Sequence, residues 1–126
     1  NDVLFGVAQD IHADAPLSPK IRDIAQGVYR TKTVAEINGS GYVVESLEAA
    51  LWCFHTTADY ASAILTAANL GKDADTTASI CGQVPGAYSG GDGIPAAWLD
   101  RLALRDEIQR LSSALFAASS DSTGVA

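Results

Sequence analysis

Apolar positions recur at three- and four-residue spacing through most of the chain, which predicts helices and almost no strand. Ser18-Pro19 reads as an N-cap and a first helical position, and Ile21, Ile24, Ala25 and Val28 carry that helix to the region of Arg30. Asn38-Gly39-Ser40-Gly41 breaks the pattern and predicts a loop. Val44, Leu47, Leu51 and Phe54 then form a heptad-like stripe on a helix reaching Thr57. Asp59 caps the next helix, which carries Ala61, Ile64, Leu65 and Ala68 and stops at Gly71.

Asp73 opens a further helix, along which Ala74, Ala78, Gly82 and Gly86 recur every fourth residue. A stripe with almost no side chains predicts close approach by another helix and a central position. Glycine inside a helix costs roughly 1 kcal/mol relative to alanine, so two of them imply a packing requirement or a nearby substrate. Ser89-Gly90-Gly91-Asp92-Gly93 ends this helix. Pro95 starts another, with Trp98, Leu99 and Leu102 inward, and Asp106 is a candidate cap for the last, with Ile108, Leu111 and Leu115 inward. The sum is an all-α chain of about seven short helices. It reads as one domain over residues 1–118, with a frayed tail over 119–126 and neither repeat nor linker.

Composition supports a packed core: 48% of the 126 residues are apolar and 18% charged. The net charge of −7 argues against a nucleic-acid partner, although a metal ion can reverse the field around one bound nucleotide. Cys53 and Cys81 sit in apolar helical surroundings and read as reduced core thiols. No stretch is apolar for long enough to span a membrane, and the start lacks the basic region of a signal peptide, so a cytoplasmic protein is expected. There is no methionine even at position 1, and the chain opens on the uncapped apolar run Val3-Leu4-Phe5-Gly6-Val7-Ala8. Both features predict a fragment or processed portion of a larger protein.

The chemistry concentrates at Asp73, Asp75 and Thr76, within one turn of a helix start. Two carboxylates this close repel and raise each other's pKa unless a cation lies between them, and hard cations such as Mg²⁺ and Ca²⁺ take oxygen ligands of this kind. The competing reading makes Asp73 a simple N-cap and Asp75 a complement to the helix dipole. Asp-x-Asp is common at helix starts, so spacing alone does not separate the two.

The wider sequence does. Ser40-Gly41-Tyr42-Val43-Val44-Glu45-Ser46-Leu47-Glu48-Ala49-Ala50-Leu51-Trp52 is followed by Asn69-Leu70-Gly71-Lys72-Asp73-Ala74-Asp75-Thr76-Thr77-Ala78-Ser79-Ile80-Cys81-Gly82. Gly86-Ala87-Tyr88-Ser89-Gly90 and Gly93-Ile94-Pro95-Ala96-Ala97-Trp98 come next. This ordered set resembles the ADP-ribosylglycohydrolase family, well over residues 40–104 and loosely elsewhere. The resemblance implies an all-α fold, two Mg²⁺ ions (Mn²⁺ in some members) and removal of ADP-ribose from modified protein side chains or related conjugates. It implies Asp73, Asp75 and Thr76 as metal ligands, with Asp75 shared between the ions, and Gly41 and Tyr42 near the bound ADP-ribose.

Two departures stand out. The family usually has Gly where this chain has Lys72, and a lysine there either points to solvent or pairs with a carboxylate. The family's second acidic motif, a Thr-Asp-Asp-Thr-like run, and an early catalytic glutamate belong to its N-terminal half. Neither occurs in this chain; Ser120-Asp121-Ser122-Thr123 is no match. The remainder of the site is therefore expected from the N-terminal part of the same protein. No general base is assigned. Glu45 and Glu48 are candidates by position, against the plain reading of exposed helix glutamates.

Other residues carry less. His12-Ala13-Asp14 is a poor ligand signal, and His55 near a helix end suits the dipole. Trp52 and Trp98 fit packing anchors, and the glycines at 90, 91 and 93 lack the lysine of a phosphate loop. The functional alternatives are a non-catalytic ADP-ribose-binding or crystallin-like relative, and an inactive fragment.

Overall fold

The computed structural model describes residues 17–121, and all regular structure among them is helical. Six α-helices are present among the described residues: α1 (Pro19–Ala25), α2 (Val43–Thr56), α3 (Tyr60–Asn69), α4 (Ala74–Ser89), α5 (Ala96–Leu99) and α6 (Arg105–Asp121). No helix among the described residues is long and apolar enough to cross a membrane. The chain divides between Gly93 and Ile94 into two compact units. His12, Asp14 and the opening apolar run lie outside the described residues.

The first unit is organised by α2, α3 and α4, each packed against the other two. Its centre is built from small residues. Ala49, Ala50 and Cys53 of α2, Ala63 and Ala67 of α3, and Cys81 of α4 are fully buried. Short side chains at these spacings let the helix axes approach closely. The expected stripe of Val44, Leu47, Leu51 and Phe54 is only half-buried. The core face of α2 is instead Ser46, Ala49, Ala50 and Cys53, with the larger aliphatics flanking it. On α3 the same substitution of faces occurs: Ala63 and Ala67 point inward while Leu65 is exposed.

The glycine stripe of α4 does face another helix. A Cβ on Gly82 would lie 3.3 Å from both the Tyr60 hydroxyl and Ile64 Cδ1, and one on Gly86 would lie 3.6 Å from Tyr60. Pro85 sits inside α4, buried, and removes the N–H that would reach back to Cys81. Cys53 and Cys81 are free and buried, as expected of core thiols.

The first predicted helix is shorter than its apolar spacing suggests. Gly27 takes φ 75° and ends it, and Val28–Thr31 forms a separate 3-10 turn. Tyr29 on that turn is 3% exposed and enters the core, edge-on to the His55 ring. Trp52 is 8% exposed and its indole Nε1 donates to the Lys32 carbonyl at 2.9 Å, stitching the connecting segment to α2.

Asp59 caps α3, accepting from the Ser62 backbone N–H at 2.9 Å. That bond and the Ser62 hydroxyl hold its carboxyl below the ordinary aspartate value. A depressed folded-state pKa stabilises above the unfolded value and is lost as pH falls through the folded one. Asp59→Ala removes this cap and is expected to lower stability at neutral pH. In acid-denaturation profiles the difference from wild type should shrink below the ordinary aspartate range.

The second unit differs from expectation. α5 has four residues, with Pro95 as its N-cap. Leu99 is half-buried, but Trp98, Leu102, Ile108, Leu111 and Leu115 are exposed rather than inward. A four-residue helix presents too little surface to cover the apolar side of a seventeen-residue one. Asp106 lies in the first turn of α6 instead of capping it. That helix continues through Asp121, past the expected start of a tail at Ser119.

Candidate active site

The loop over 38–42 and the turn over 71–76 meet at the start of α4. Gly71 has φ 76° and Lys72 φ 56°, so two successive left-handed residues turn the chain from α3 into α4. The Asp73 backbone N–H then donates to the Gly39 carbonyl at 2.9 Å. Gly39 is buried, and a Cβ there would come 3.1 Å from Leu70 Cβ and 3.2 Å from the Gly71 carbonyl. Gly41 is tighter still: any Cβ would run into Asp73 Oδ2. Glycine at both positions is thus a consequence of backbone against backbone and carboxylate against backbone.

Side chains clamp the loop from the other side. Glu45 Oε2, in the first turn of α2, accepts from Asn38 Nδ2 and from Ser40 Oγ, each at 2.5 Å. The fully buried Ser46 hydroxyl donates to the Ser40 carbonyl at 2.6 Å. The Ser40 bond, foremost, holds the Glu45 carboxyl below its ordinary value. Glu48 pairs with Lys32. Both glutamates are half-buried and engaged, so neither is the plain exposed helix glutamate of the sequence reading. Lys72 is exposed, and its ammonium donates to Asn38 Oδ1 at 2.5 Å rather than to an aspartate of the turn.

Asp73 occupies the N-cap position of α4, but its side chain makes no capping bond. The Asp75 carboxyl is held below the ordinary aspartate value, first by the neighbouring Asp73 side chain and then by the backbone N–H groups of the helix start. The mutual upward shift expected of two close carboxylates is not what Asp75 experiences. Thr76 follows, half-buried, in the first turn.

Tyr42 is 53% exposed at the N-cap position of α2, with Lys20 Nζ 5.3 Å from its ring centroid. Gly41 thus adjoins Asp73, although more than thirty residues separate them in sequence. The sequence reading gives no site role to the clamp residues Asn38, Ser40, Ser46 and Lys20. A cluster of short polar side chains around the Asn-Gly-Ser-Gly loop, with a glutamate one helical turn beyond, is the signal that marks them.

The donor set suits a hard divalent cation in kind. The Asp73 carboxylate lies in a cradle that a Cβ on Gly41 would fill. Beneath the loop, the buried Thr77 hydroxyl has no hydrogen-bond partner among the described residues. In number the set is short, since no group of three His, Cys, Asp or Glu side chains converges among the described residues. Gly41→Ala is expected to displace the Asp73 carboxylate with little loss of stability, because Gly41 is exposed and only that side-chain tip must move. Chemical denaturation and the Asp73 amide shift report the two effects separately.

The arrangement is that of an all-α domain with an oxygen-donor turn at a helix start, covered by a glycine loop. A model of the ADP-ribosylglycohydrolase family matches residues 2–124, and the chain belongs to that family. It is 45% identical over 101 residues to ADP-ribosylarginine hydrolase Tri1 of Serratia proteamaculans (strain 568), covering 80% of this chain and 28% of that protein. The corresponding hydrolase of Pseudomonas putida (strain GB-1) is 43% identical over 100 residues, 79% of this chain and 27% of the relative. ADP-ribosyl-[dinitrogen reductase] glycohydrolase of Rhodospirillum rubrum is 36% identical over 80 residues, 62% of this chain and 27% of the relative. The chain thus spans little more than a quarter of the length of these relatives.

Proposed function

We propose that this chain carries the C-terminal share of an ADP-ribosylglycohydrolase active site that removes ADP-ribose from modified protein side chains, arginine first among them. The abutment of Gly41 on the Asp73 carboxylate carries the reading, because it joins the loop implied in ADP-ribose binding to the turn implied in metal binding. Family membership and the names of the relatives support the reaction class and an ADP-ribosylated substrate.

In this reading Asp73, Asp75 and Thr76 hold divalent cations, Mg²⁺ or Mn²⁺, two in the complete site. Bound there, the ions would orient the ribose and stabilise charge developing at the anomeric centre. Gly41 leaves room for the Asp73 carboxylate, and Tyr42, next in sequence, offers an exposed aromatic ring. Glu45 is held ionised by its hydrogen bonds and serves the loop. The general base and further metal ligands come from the N-terminal part of the same protein. Two reduced thiols accord with a cytoplasmic setting.

The test is calorimetric titration of Mg²⁺, then ADP-ribose, into this chain and into the longer protein, followed by assay of the longer protein on ADP-ribosylated arginine. Metal-dependent release of ADP-ribose is expected. ADP-ribose binding by the longer protein without hydrolysis would overturn the enzyme reading in favour of a non-catalytic relative. Absence of metal binding in both would sink the metal assignment.

A further inference from the structure

We infer that Lys72, Asn38 and Glu45 form a positioning chain that locks the glycine loop onto the acidic turn, so that a lysine which is not a ligand helps set cation affinity at Asp73 and Asp75. The inference rests on the proposed metal reading and adds residues that the family resemblance does not assign.

The chain is continuous. Lys72 Nζ donates to Asn38 Oδ1, and Asn38 Nδ2 donates to Glu45 Oε2. An ammonium can only donate and an ionised carboxylate only accept, so both ends demand the same orientation of the Asn38 amide. Glu45 extends the chain: Ser40 Oγ donates to the same Oε2, and Lys20 lies 3.7 Å from Oε1 while covering Tyr42. One network therefore runs from the residue preceding Asp73 to the aromatic ring beside Gly41.

Backbone conformation indicates why a lysine matters. At φ 56° Lys72 occupies a region that glycine enters freely and a side chain enters at a cost. The contact made at the far end of the side chain offsets that cost. It also docks the ammonium on a neutral amide, so that a fixed positive charge is not spent on the two carboxylates. The fully buried Thr77 hydroxyl, unpartnered among the described residues, lies under the same crossing and adds an independent polar atom there. A Cβ on Gly39 would lie 3.6 Å from it.

Electrostatics and positioning predict opposite signs for Lys72→Gly. Removing a positive charge near a cation site strengthens binding by Coulomb's law. Cutting an outer support of metal ligands weakens it, typically by about 10–100-fold. The experiment measures Mn²⁺ affinity from paramagnetic broadening of the Asp73 and Thr76 amide resonances in the full 126-residue chain. Melting temperature is recorded alongside.

Lys72→Gly is expected to lose at least about tenfold in affinity with an unchanged or raised melting temperature, because left-handed strain is relieved. Lys72→Arg, which retains a donor, is expected to keep most of the affinity. Unchanged or tighter binding by Lys72→Gly overturns the inference, as does a loss of binding that merely tracks a loss of fold. Asp75→Ala separates the two levels. If it abolishes binding while Lys72→Gly does not, the metal reading stands and the positioning chain falls. If Asp75→Ala binds like wild type, both fall; if the wild-type chain shows no saturable broadening, the same variants are compared in the longer protein, where absence of binding by wild type fells both.

Discussion

Asp75→Ala is expected to abolish saturable Mg²⁺ binding, with a loss of more than about a hundredfold, since supports outside the ligand shell already cost 10–100-fold when removed. Asp75 is exposed on the first turn of α4, and its carboxyl is held low chiefly by the neighbouring Asp73 side chain. Two carboxylates on one turn offer the oxygen ligands that a hard divalent cation takes. Removing one carboxylate halves the negative charge of the turn and leaves a lone aspartate, an ordinary helix-start residue. The fold should tolerate the change, because an exposed first-turn aspartate contributes to stability mainly through the helix dipole. Asp75→Asn keeps the shape and should lose binding similarly. Calorimetry together with circular dichroism makes the comparison; retained affinity in Asp75→Ala would reduce the turn to a helix start.

Trp52→Ala is expected to destabilise the first unit by about 3–5 kcal/mol, a large share of the 5–15 kcal/mol typical of a domain. The indole is 8% exposed and is part of the core cluster with Ile24, Tyr29 and Ile37. Truncation leaves a cavity and also strands the Lys32 carbonyl, which accepts the indole N–H. Trp52→Phe separates these contributions: it keeps much of the volume and loses the hydrogen bond, worth about 0.5–1.5 kcal/mol. Urea denaturation followed by far-ultraviolet dichroism gives both values. The same variant should loosen the connecting segment before the glycine loop, so cation affinity is expected to fall with stability. A Trp52→Ala change below about 1 kcal/mol would mean that α2 is held by its alanine face alone.

Helix positions were legible wherever a local stop signal accompanied the apolar spacing. Asp59 before α3, Gly71 after it and the two-glycine loop before α2 each act through their own backbone and neighbouring residues, and each performs as its chemistry predicts. Gly27 shows the limit: apolar spacing continued through it, yet its left-handed conformation ended the helix and allowed Tyr29 to enter the core. Facing was less legible. Large aliphatics dominate a hydrophobicity pattern, whereas the closest helix contacts belong to Ala49, Ala50, Ala63 and Ala67. Which stripe turns inward depends on how near two helices can come, and that is settled between elements. The outward apolar residues of α6 follow the same rule, since periodicity identifies an amphipathic helix without supplying what covers it.

For the site, sequence alone determined the all-α class and the family resemblance, and singled out the acidic turn as the metal candidate. Tertiary structure decided that Gly41 lies on the Asp73 carboxylate, that Glu45 is committed to holding the loop, and that Lys72 reaches Asn38 instead of an aspartate. The division has a physical cause. Caps, glycine conformations and charge clusters act over a few residues and are written in local order. The fit of a loop against a turn depends on distances between segments some thirty residues apart, which exist only once α2, α3 and α4 have packed.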